Sequence, residues 1–343
     1  MTSPSQTPLP TVAVVGATGA VGREIIGCLE KRKFPLGRLK LLASARSAGE
    51  KIAFRDASVP VEVLDDRSLA DVDVALFSAG SGITRKFAPT AGKQTVIIDN
   101  SSAFRMEAGI PLVVPEINGD MAFRHGGLIA NPNCTAIITA MTVWPLHRQV
   151  PVRRLFASTY QAASGAGAAA MEELRLSTEA CLAGKTYAPR VLPHPYAFNV
   201  FSHNDVVDVN TGSNGEETKV ANELRKIMSH PELRIGVTCV RVPVLRAHTI
   251  VLSVEFERPV RPEEAKDVLS SAPGVRIVDD RARNHFPMPI EATGRDEILA
   301  GRFRPDYGDP TGHTISMMLS GDQLLKGAAL NAVQIAELLQ QKR

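Results

Sequence analysis

A cysteine at the start of an apolar helical segment is the residue of this 343-residue chain best suited to nucleophilic chemistry. The segment Asn131-Pro132-Asn133-Cys134-Thr135 predicts Asn133 as the N-cap and places Cys134 in the first helical turn. That position lowers the pKa of a thiol, and open N–H groups of the first turn can hydrogen-bond an oxyanion formed when sulfur attacks a carbonyl. A structural cysteine at a helix start is the alternative, and spacing alone does not separate the two.

The other three cysteines lie in settings that do not favour catalysis. Cys28 falls among the apolar residues of a helical pattern and Cys239 alternates within a strand pattern, as small core residues do. Cys181 receives no role. Because no two of the four cysteines form a CxxC pair, we expect neither a zinc site nor a disulfide framework, and we expect a cytoplasmic protein with reduced thiols.

A glycine-rich turn follows the first apolar run, Thr11–Val15, and precedes a helical pattern over Arg23–Lys31. Glycines permit a tight turn in which backbone N–H groups approach a phosphate, and a helix start adds partial positive charge. An ordinary strand-to-helix connection is the alternative. The candidate cofactor contacts in this turn are Gly16, Thr18, Gly19, Ala20, Val21 and Gly22.

The end of the second predicted strand indicates which dinucleotide would bind. Folds that use NAD usually carry an acidic residue there, whereas this chain reads Ala43-Ser-Ala-Arg46-Ser47. An arginine with no carboxylate beside it attracts a 2′-phosphate, so we predict NADP over NAD, with Arg46 and Ser47 in contact with it. The alternative is a solvated surface arginine.

Short apolar runs separated by helical or turn segments must position these residues in the first part of the chain. Such alternation predicts a parallel, doubly wound α/β sheet. The further predicted strands are Leu39–Ala43, Val72–Phe77, Thr95–Ile98 and Leu112–Val114.

The second part of the chain predicts an α+β domain, and the final helix, Leu324–Gln340, is long enough to return to the first. We therefore expect three segments: a nucleotide-binding domain over 1–133, a second domain over 134–317, and a returning helix within 318–343. The predicted helices of the second part are Thr135–Leu146, Ala168–Leu182 and Glu216–Met228, and the predicted strands are Arg154–Tyr160, Ile235–Pro243 and His248–Glu257.

Charge and hydropathy point to a small-molecule partner. The formal net charge is +3 and the basic residues are scattered, so we expect neither a nucleic-acid nor a membrane surface. The N-terminal MTSPSQTPLP lacks the features of a signal peptide and reads as a flexible leader.

Six motifs occur in the order and approximate spacing found in aspartate-semialdehyde dehydrogenases, and the chain resembles that family over almost its whole length. NPNC and the histidine seven residues after Arg241 are specific in combination, whereas GATGAVG is shared by many Rossmann enzymes. The resemblance implies an N-terminal Rossmann-type NADP-binding domain completed by a C-terminal helix, an α+β catalytic and dimerisation domain as in glyceraldehyde-3-phosphate dehydrogenase, and a homodimer. The motifs are GATGAVG, SSAFR, NPNC, YQAASGAG, EETK and RVPVLRAH.

By this resemblance Cys134 is the nucleophile and His248 the general acid/base, a task that suits histidine near neutral pH. Gln161 orients the thioester, Glu216 contacts the substrate amino group, and Arg241 holds the substrate carboxylate, for which a guanidinium fork is well shaped. Without the resemblance, His248 reads as a structural strand residue and Arg241 as a half-buried salt-bridge residue.

The resemblance also implies contacts to phosphate and to the nicotinamide ring. Arg105, Asn133 and Lys219 match phosphate-binding positions, although Lys219 could instead form an ordinary surface pair with Glu216. The Ser164-Gly165 turn matches the segment beside the nicotinamide. Gln323 and Leu325 stand where the family commonly has Asn and Arg, so the chain departs from the family pattern there, and the resemblance implies that the Gln323 amide contacts nicotinamide.

The implied reaction is the NADPH-dependent reductive dephosphorylation of L-aspartyl-4-phosphate to L-aspartate 4-semialdehyde through a thioester on Cys134. This step serves lysine/diaminopimelate, threonine, methionine and isoleucine biosynthesis. The alternatives are an N-acetyl-gamma-glutamyl-phosphate reductase, which the pairing of Glu216 with Arg241 disfavours, and a non-catalytic paralogue, which the retention of Cys134 and His248 disfavours.

Overall fold

The computed structural model describes residues 8–92 and 94–341, so residues 1–7 of the predicted leader lie outside it. The described residues form two compact units. One contains the residues up to Pro132 together with those from Ala328 onward, and the other contains Asn133–Gly327.

The strands found among the described residues form two sheets. In chain order they are β1 (Thr11–Val15), β2 (Arg38–Ala43), β3 (Lys51–Phe54), β4 (Ala57–Val63), β5 (Val74–Phe77), β6 (Val96–Asp99), β7 (Leu128–Ala130), β8 (Val152–Gln161), β9 (Phe201–Ser202), β10 (Arg234–Arg241), β11 (His248–Phe256), β12 (Val275–Ile277), β13 (Ile298–Pro305) and β14 (Thr314–Gly321).

The α-helices of the described residues connect and cover these strands. In chain order they are α1 (Ala20–Lys31), α2 (Ser81–Phe87), α3 (Pro115–Asn118), α4 (Cys134–Gln149), α5 (Ala168–Leu182), α6 (Gly215–Ile227), α7 (Pro262–Ser270), α8 (Pro289–Ala292) and α9 (Leu330–Gln340). None of the helices in the described part of the chain is long and apolar enough to cross a membrane.

The first sheet has the order β3-β4-β2-β1-β5-β6-β7, and its neighbours are parallel except for the β3–β4 hairpin. Val12 to Val15 of β1 are fully buried, as expected for a strand covered on both faces. Because β1, β2, β5 and β6 are parallel, the loops that follow them emerge at the same edge of the sheet. The predicted doubly wound α/β sheet is confirmed.

Some elements of the first unit differ from the sequence prediction. The β3–β4 hairpin and β7 were not predicted. Leu112–Val114 was predicted as a strand but contributes only a parallel bridge between Leu112 and Ala130, because Pro115 starts α3 directly afterwards. Helix α1 begins at Ala20, so Ala20, Val21 and Gly22 belong to its first turn.

The second sheet is mixed, with the order β12-β13-β14-β11-β8-β10-β9. Strand β8 runs parallel to β10 and antiparallel to β11. Its residues alternate, so that Leu155 and Ala157 are buried whereas Phe156 and Tyr160 are 47% and 40% exposed. The sheet therefore has one covered face and one open face in this chain, and the predicted α+β character is confirmed.

The C-terminal boundary lies later than the predicted return at residue 318. Strand β14 pairs with β11 and β13, so residues 318–327 belong to the second unit. A π-helical turn, Leu325–Ala329, then leads into α9, which contacts α1. Arg32 of α1 and Glu337 of α9 form an ion pair of 2.6 Å.

Candidate active site

The glycine turn after β1 is shaped for close backbone packing. Gly16 has φ +87°, and a Cβ there would lie 2.8 Å from the carbonyl oxygen of Ser78. A Cβ on Gly22 would lie 2.1 Å from the carbonyl oxygen of Gly16. Both positions therefore require glycine, and α1 starts with Gly19 as its N-cap.

A cavity of about 490 Å³ opens beside this turn, at the edge where β1, β2 and β5 end. Gly16, Thr18 and Gly19 line one side of it, and Ser44 lies at the end of β2. A helix start and a glycine turn facing a cavity of this size are suited to a phosphate-bearing ligand.

The turn after β2 holds the residues predicted to select NADP. Arg46 is exposed on a 3₁₀ turn, Ala45–Ser47, whereas Ser47 is buried and its Oγ lies 3.2 Å from the Thr18 Oγ1 that donates to it. Lys86 of α2 lines the same cavity and was missed from the sequence, because nothing in the local pattern links α2 to this edge of the sheet.

Cys134 is the first residue of α4 and is half-buried. The predicted N-cap is confirmed, since the Asn133 Oδ1 accepts hydrogen bonds from the N–H groups of Thr135 at 2.9 Å and Ala136 at 3.2 Å. The same bonds correct the expectation of open N–H groups, because these two donors are already occupied and cannot serve an oxyanion.

His248, at the start of β11, is fully buried and lies beside the cysteine. Its Nε2 is 3.6 Å from the Cys134 Sγ, and its Nδ1 accepts a 3.1 Å hydrogen bond from the N–H of Ala162. A backbone N–H can only donate, so in the neutral ring Nδ1 carries no proton and Nε2–H points to the sulfur. Burial, reinforced by the charge of Arg241, lowers the pKa of His248 well below its usual value, so the ring is neutral near pH 7.

A buried carboxylate joins several of the predicted residues. The Glu216 Oε1 accepts from the Asn133 Nδ2 at 2.9 Å and from the Gln161 Nε2 at 3.2 Å. Burial alone would raise the pKa of Glu216, but His203, the Asn133 amide, Lys219 and the Gln161 amide together hold it below its usual value. Glu216 is therefore ionised at neutral pH.

Lys219 is held one turn further along α6. Its Nζ lies 2.5 Å from the Asp205 Oδ2 and 3.9 Å from the Glu216 Oε2. Since Glu216 is only 5% exposed, the pair is not an ordinary surface pair. An Asn214–Glu217 capping box starts α6 and fixes the position of this turn.

The Arg241 guanidinium is buried and held from three sides. Its Nη1 donates to the Ala162 carbonyl at 3.1 Å, its Nε to the Asn204 Oδ1 at 3.0 Å, and its Nη2 to the His203 Nε2 at 2.8 Å. Burial, together with the charge of Arg241, lowers the pKa of His203 to about 4. All three hydrogen-bond partners are thus uncharged at neutral pH, and the charge that interacts with Arg241 within this unit is that of the ionised Glu216.

The turn containing Ser164 and Gly165 passes next to these groups. A Cβ on Gly165 would lie 2.9 Å from the His248 Cε1 and 3.0 Å from the Arg241 Nη1. The Ser164 Oγ accepts a hydrogen bond from the Gln323 Nε2, and the Gln323 Oε1 accepts from the N–H of Ala247 at 3.0 Å. Both ends of the Gln323 amide are therefore engaged by the second unit itself.

The structure brings most of the predicted residues together in the second unit: Asn133, Cys134, Gln161, Ser164, Gly165, Glu216, Lys219, Arg241, His248 and Gln323. Arg105, the glycine turn, Arg46 and Ser47 belong to the first unit. The Arg105 Nε and Nη2 donate to the carbonyls of Asn131 and Asn100 at 2.9 and 2.7 Å.

Three consecutive residues that support the site, His203, Asn204 and Asp205, were missed from the sequence. They follow β9 in a turn-rich segment that carries no periodic pattern. Only their long-range contacts with Arg241 and Lys219 reveal them. Among the residues that the structure describes, no cluster of three or more His, Cys, Asp or Glu side chains could hold a metal ion.

Comparison with known proteins agrees with this geometry. Residues 11–124 match the family model described as the semialdehyde dehydrogenase NAD-binding domain, and residues 143–326 match the semialdehyde dehydrogenase dimerisation domain. An aspartate-semialdehyde dehydrogenase of Synechocystis is 49% identical over 96% of both chains. The chain belongs to the aspartate-semialdehyde dehydrogenase family.

Other members of the aspartate-semialdehyde dehydrogenase family support the same conclusion. The Aquifex aeolicus enzyme is 45% identical over 96% of this chain and 97% of its own. The crystal structure of aspartate semialdehyde dehydrogenase II from Vibrio cholerae, described as complexed with ASA, has a TM-score of 0.93 and 37% identity over 98% of this chain and 99% of that one. The family resemblance carried by the six motifs is confirmed.

Proposed function

We propose that the protein is an NADP-dependent, phosphorylating aspartate-semialdehyde dehydrogenase that acts through a thioester on Cys134. The observation that carries this proposal is the Cys134 Sγ at a helix start, 3.6 Å from the His248 Nε2, in the unit that also buries Glu216 and Arg241. A thiol beside a hydrogen-bond donor, with two fixed opposite charges nearby, is suited to covalent catalysis on an amino acid.

In the oxidative direction the Cys134 thiolate adds to the aldehyde carbon and forms a thiohemiacetal anion, whose oxygen carries the negative charge. Loss of hydride from that carbon leaves a thioester, and inorganic phosphate then attacks the thioester carbonyl, releases the sulfur as thiolate and forms the acyl phosphate. The biosynthetic direction is the reverse sequence. The nicotinamide cofactor, when bound, supplies or accepts the hydride.

His248 acts as the hydrogen-bond donor of this sequence. Its Nε2–H stabilises the thiolate before attack and can then turn its bond to the oxygen of the thiohemiacetal. Because the N–H of Ala162 occupies Nδ1, accepting the thiol proton would require the ring to lose that bond. The arrangement therefore favours a neutral His248 ring that donates from Nε2, rather than an imidazolium, as the resting form of the site.

Substrate recognition follows from the two buried charges. The ionised Glu216 matches a free ammonium group, and Arg241 matches a carboxylate in a geometry that two parallel hydrogen bonds can satisfy. An N-acetylated amino acid has no ammonium group to pair with Glu216, so it would form no ion pair with this buried carboxylate. The pairing therefore favours aspartate semialdehyde over an N-acetylglutamyl substrate.

We assign phosphate binding to Lys219, with Arg105 and Asn133 as further contacts. Lys219 is paired with Asp205, so phosphate would either displace this carboxylate from the lysine or bind the lysine together with it. The Asn133 amide already caps α4 and donates to Glu216, which makes it a weaker candidate than the lysine.

We also propose NADP as the cofactor. The positions that fit a dinucleotide are the glycine turn and the cavity of about 490 Å³, with Arg46 exposed at the end of β2. The contacts with the 2′-phosphate would come from Arg46 and Ser47, and Lys86 adds a second cation at the cavity. The proposal would fail if Arg46→Ala left the ratio of KM for NADP to KM for NAD unchanged, with the exposed Arg67→Ala as the matched control.

A homodimer and a cytoplasmic location complete the proposal. The open face of the second sheet carries Phe156 and Tyr160, and this region matches a dimerisation-domain model. An exposed apolar sheet face is a common site of subunit association. The four cysteines, all within the described residues, are free thiols, which supports a reducing compartment.

One assay tests the proposed function. Phosphate-dependent formation of NADPH from L-aspartate 4-semialdehyde is expected, with little or none from N-acetylglutamate 5-semialdehyde. Cys134→Ala should abolish turnover and retain NADP binding. Preference for the acetylated aldehyde would identify the reductase alternative, and absence of turnover with either aldehyde would identify a non-catalytic paralogue.

A further inference from the structure

We propose that Gln323 is a positioning residue that fixes His248 by holding the strained backbone of Ala247. The inference deepens the proposed function and rests on it for the catalytic meaning of His248. Its structural content, a link from Gln323 through Ala247 to His248 and Cys134, can be tested without substrate or cofactor.

Ala247 is the strained residue. Its φ is +71°, in the left-handed region that an L-residue with a Cβ rarely adopts, and it directly precedes His248. Its side chain is buried against Ala292 and Leu299, and the Thr293 Oγ1 donates a hydrogen bond of 3.4 Å to the carbonyl of Arg246 in the preceding peptide. Such a conformation persists only where the surrounding contacts enforce it.

The Gln323 amide supplies that contact. Its Oε1 accepts the hydrogen bond from the N–H of Ala247 at 3.0 Å, and its Nε2 donates to the Ser164 Oγ. Gln323 is 2% exposed, so an unpaired Ala247 N–H would find no water to replace the amide oxygen easily. The Gln323 side chain thus joins Ala247, the residue before His248, to the Ser164-Gly165 turn that packs against the His248 ring.

The segment that carries Gln323 also lies against the nucleophile. A Cβ on Gly327 would be 2.9 Å from the Cys134 Cβ and 3.3 Å from the Gln323 Cβ. The chain from Gln323 to Gly327 therefore packs against Cys134 at one end and bonds the residue before His248 at the other.

Alkylation of Cys134 by iodoacetamide in the cofactor-free protein measures the effect directly. Gln323→Met keeps the volume and removes both hydrogen bonds, so we expect alkylation at pH 7 to slow at least about tenfold and its pH midpoint to rise as the His248 donor moves away. Gln149→Met, at the exposed end of α4, is the matched control and should alkylate as the wild type does.

A double variant tests whether strain at Ala247 causes the slower alkylation of Cys134. Glycine adopts φ +71° without strain, so Ala247→Gly combined with Gln323→Met should recover a substantial part of the lost alkylation rate. If Gln323→Met does not fold, Gln323→Asn replaces it, because its amide is one methylene too short to span both partners. Alkylation of Gln323→Met at the wild-type rate, or no recovery in the double variant, would overturn the inference. Loss of semialdehyde turnover in the wild type would instead overturn the proposed function and leave the alkylation test intact.

Discussion

Replacing Gly165 by alanine inserts one methyl group between the two side chains that would hold the reacting aldehyde. That methyl would stand 2.9 Å from the His248 Cε1, 3.0 Å from the Arg241 Nη1 and 3.1 Å from the His248 Nε2. Ordinary contacts begin near 3.4 Å, so the shortfalls are 0.5, 0.4 and 0.3 Å. The imidazole is fixed by Ala162 and the guanidinium by three hydrogen bonds, so neither can retreat without breaking a bond.

The expected result of Gly165→Ala is a large loss of activity with a modest loss of stability. Overpacking of this kind costs about 1–3 kcal/mol, and a misplacement approaching 1 Å at a reacting group lowers the rate about a hundredfold. Steady-state kcat/KM for the semialdehyde, with Tm and NADP affinity as companion measurements, tests this. Gly126→Ala, where a Cβ meets nothing within 4 Å, is the control. Activity within twofold of wild type would refute the account of this turn.

Three further predictions follow from single residues. Because burial lowers the pKa of His203 to about 4, the unfolded chain binds a proton at this histidine before the folded protein does, and the protein loses stability as the pH falls. The free energy of unfolding of His203→Gln, measured in urea, should therefore fall by about 2 kcal/mol less than that of the wild type between roughly pH 7 and 5. An equal fall in both proteins would contradict this. Asn133→Ala should lower stability by about 1 kcal/mol through the lost cap, whereas an unchanged Tm would count against the cap. Phe156→Glu should shift the sedimentation profile towards monomer while Val206→Glu, an exposed apolar residue elsewhere, does not; equal profiles would exclude this face.

The elements with clear periodicity were predictable from the sequence. Helix α5 has the predicted bounds, and β1 and β11 begin at the predicted residues, because their apolar spacing matches the geometry of the element. Short elements such as β7 and the β3–β4 hairpin were missed, since three to seven residues at or next to a sheet edge carry too few apolar positions to form a pattern.

The candidate site was predictable where a motif fixes local geometry. Asn133 as the N-cap of the Cys134 helix is such a case, because the capping oxygen and the cysteine are neighbours in sequence. Pairing of Cys134 with His248 needs contacts between residues 114 positions apart, and only the family resemblance supplied it.

The sequence could not show which of several possible partners each polar group would bond. The helix-start N–H groups were expected to be open, but those of Thr135 and Ala136 bond the Asn133 side chain; the Gln323 amide, predicted to contact nicotinamide, bonds Ala247 and Ser164 in this cofactor-free structure. Residue types show which bonds are possible, whereas only the folded arrangement shows which partner is nearest.

Mixing the protein with L-aspartate 4-semialdehyde and NADP in the absence of phosphate tests the central claim most directly. A thioester that cannot be released should accumulate, with a burst of about one equivalent of NADPH per active site and an acyl adduct on the peptide that contains Cys134. Addition of phosphate should release the adduct and restore turnover. An equal burst from Cys134→Ala, or an adduct on any other residue, would contradict the account.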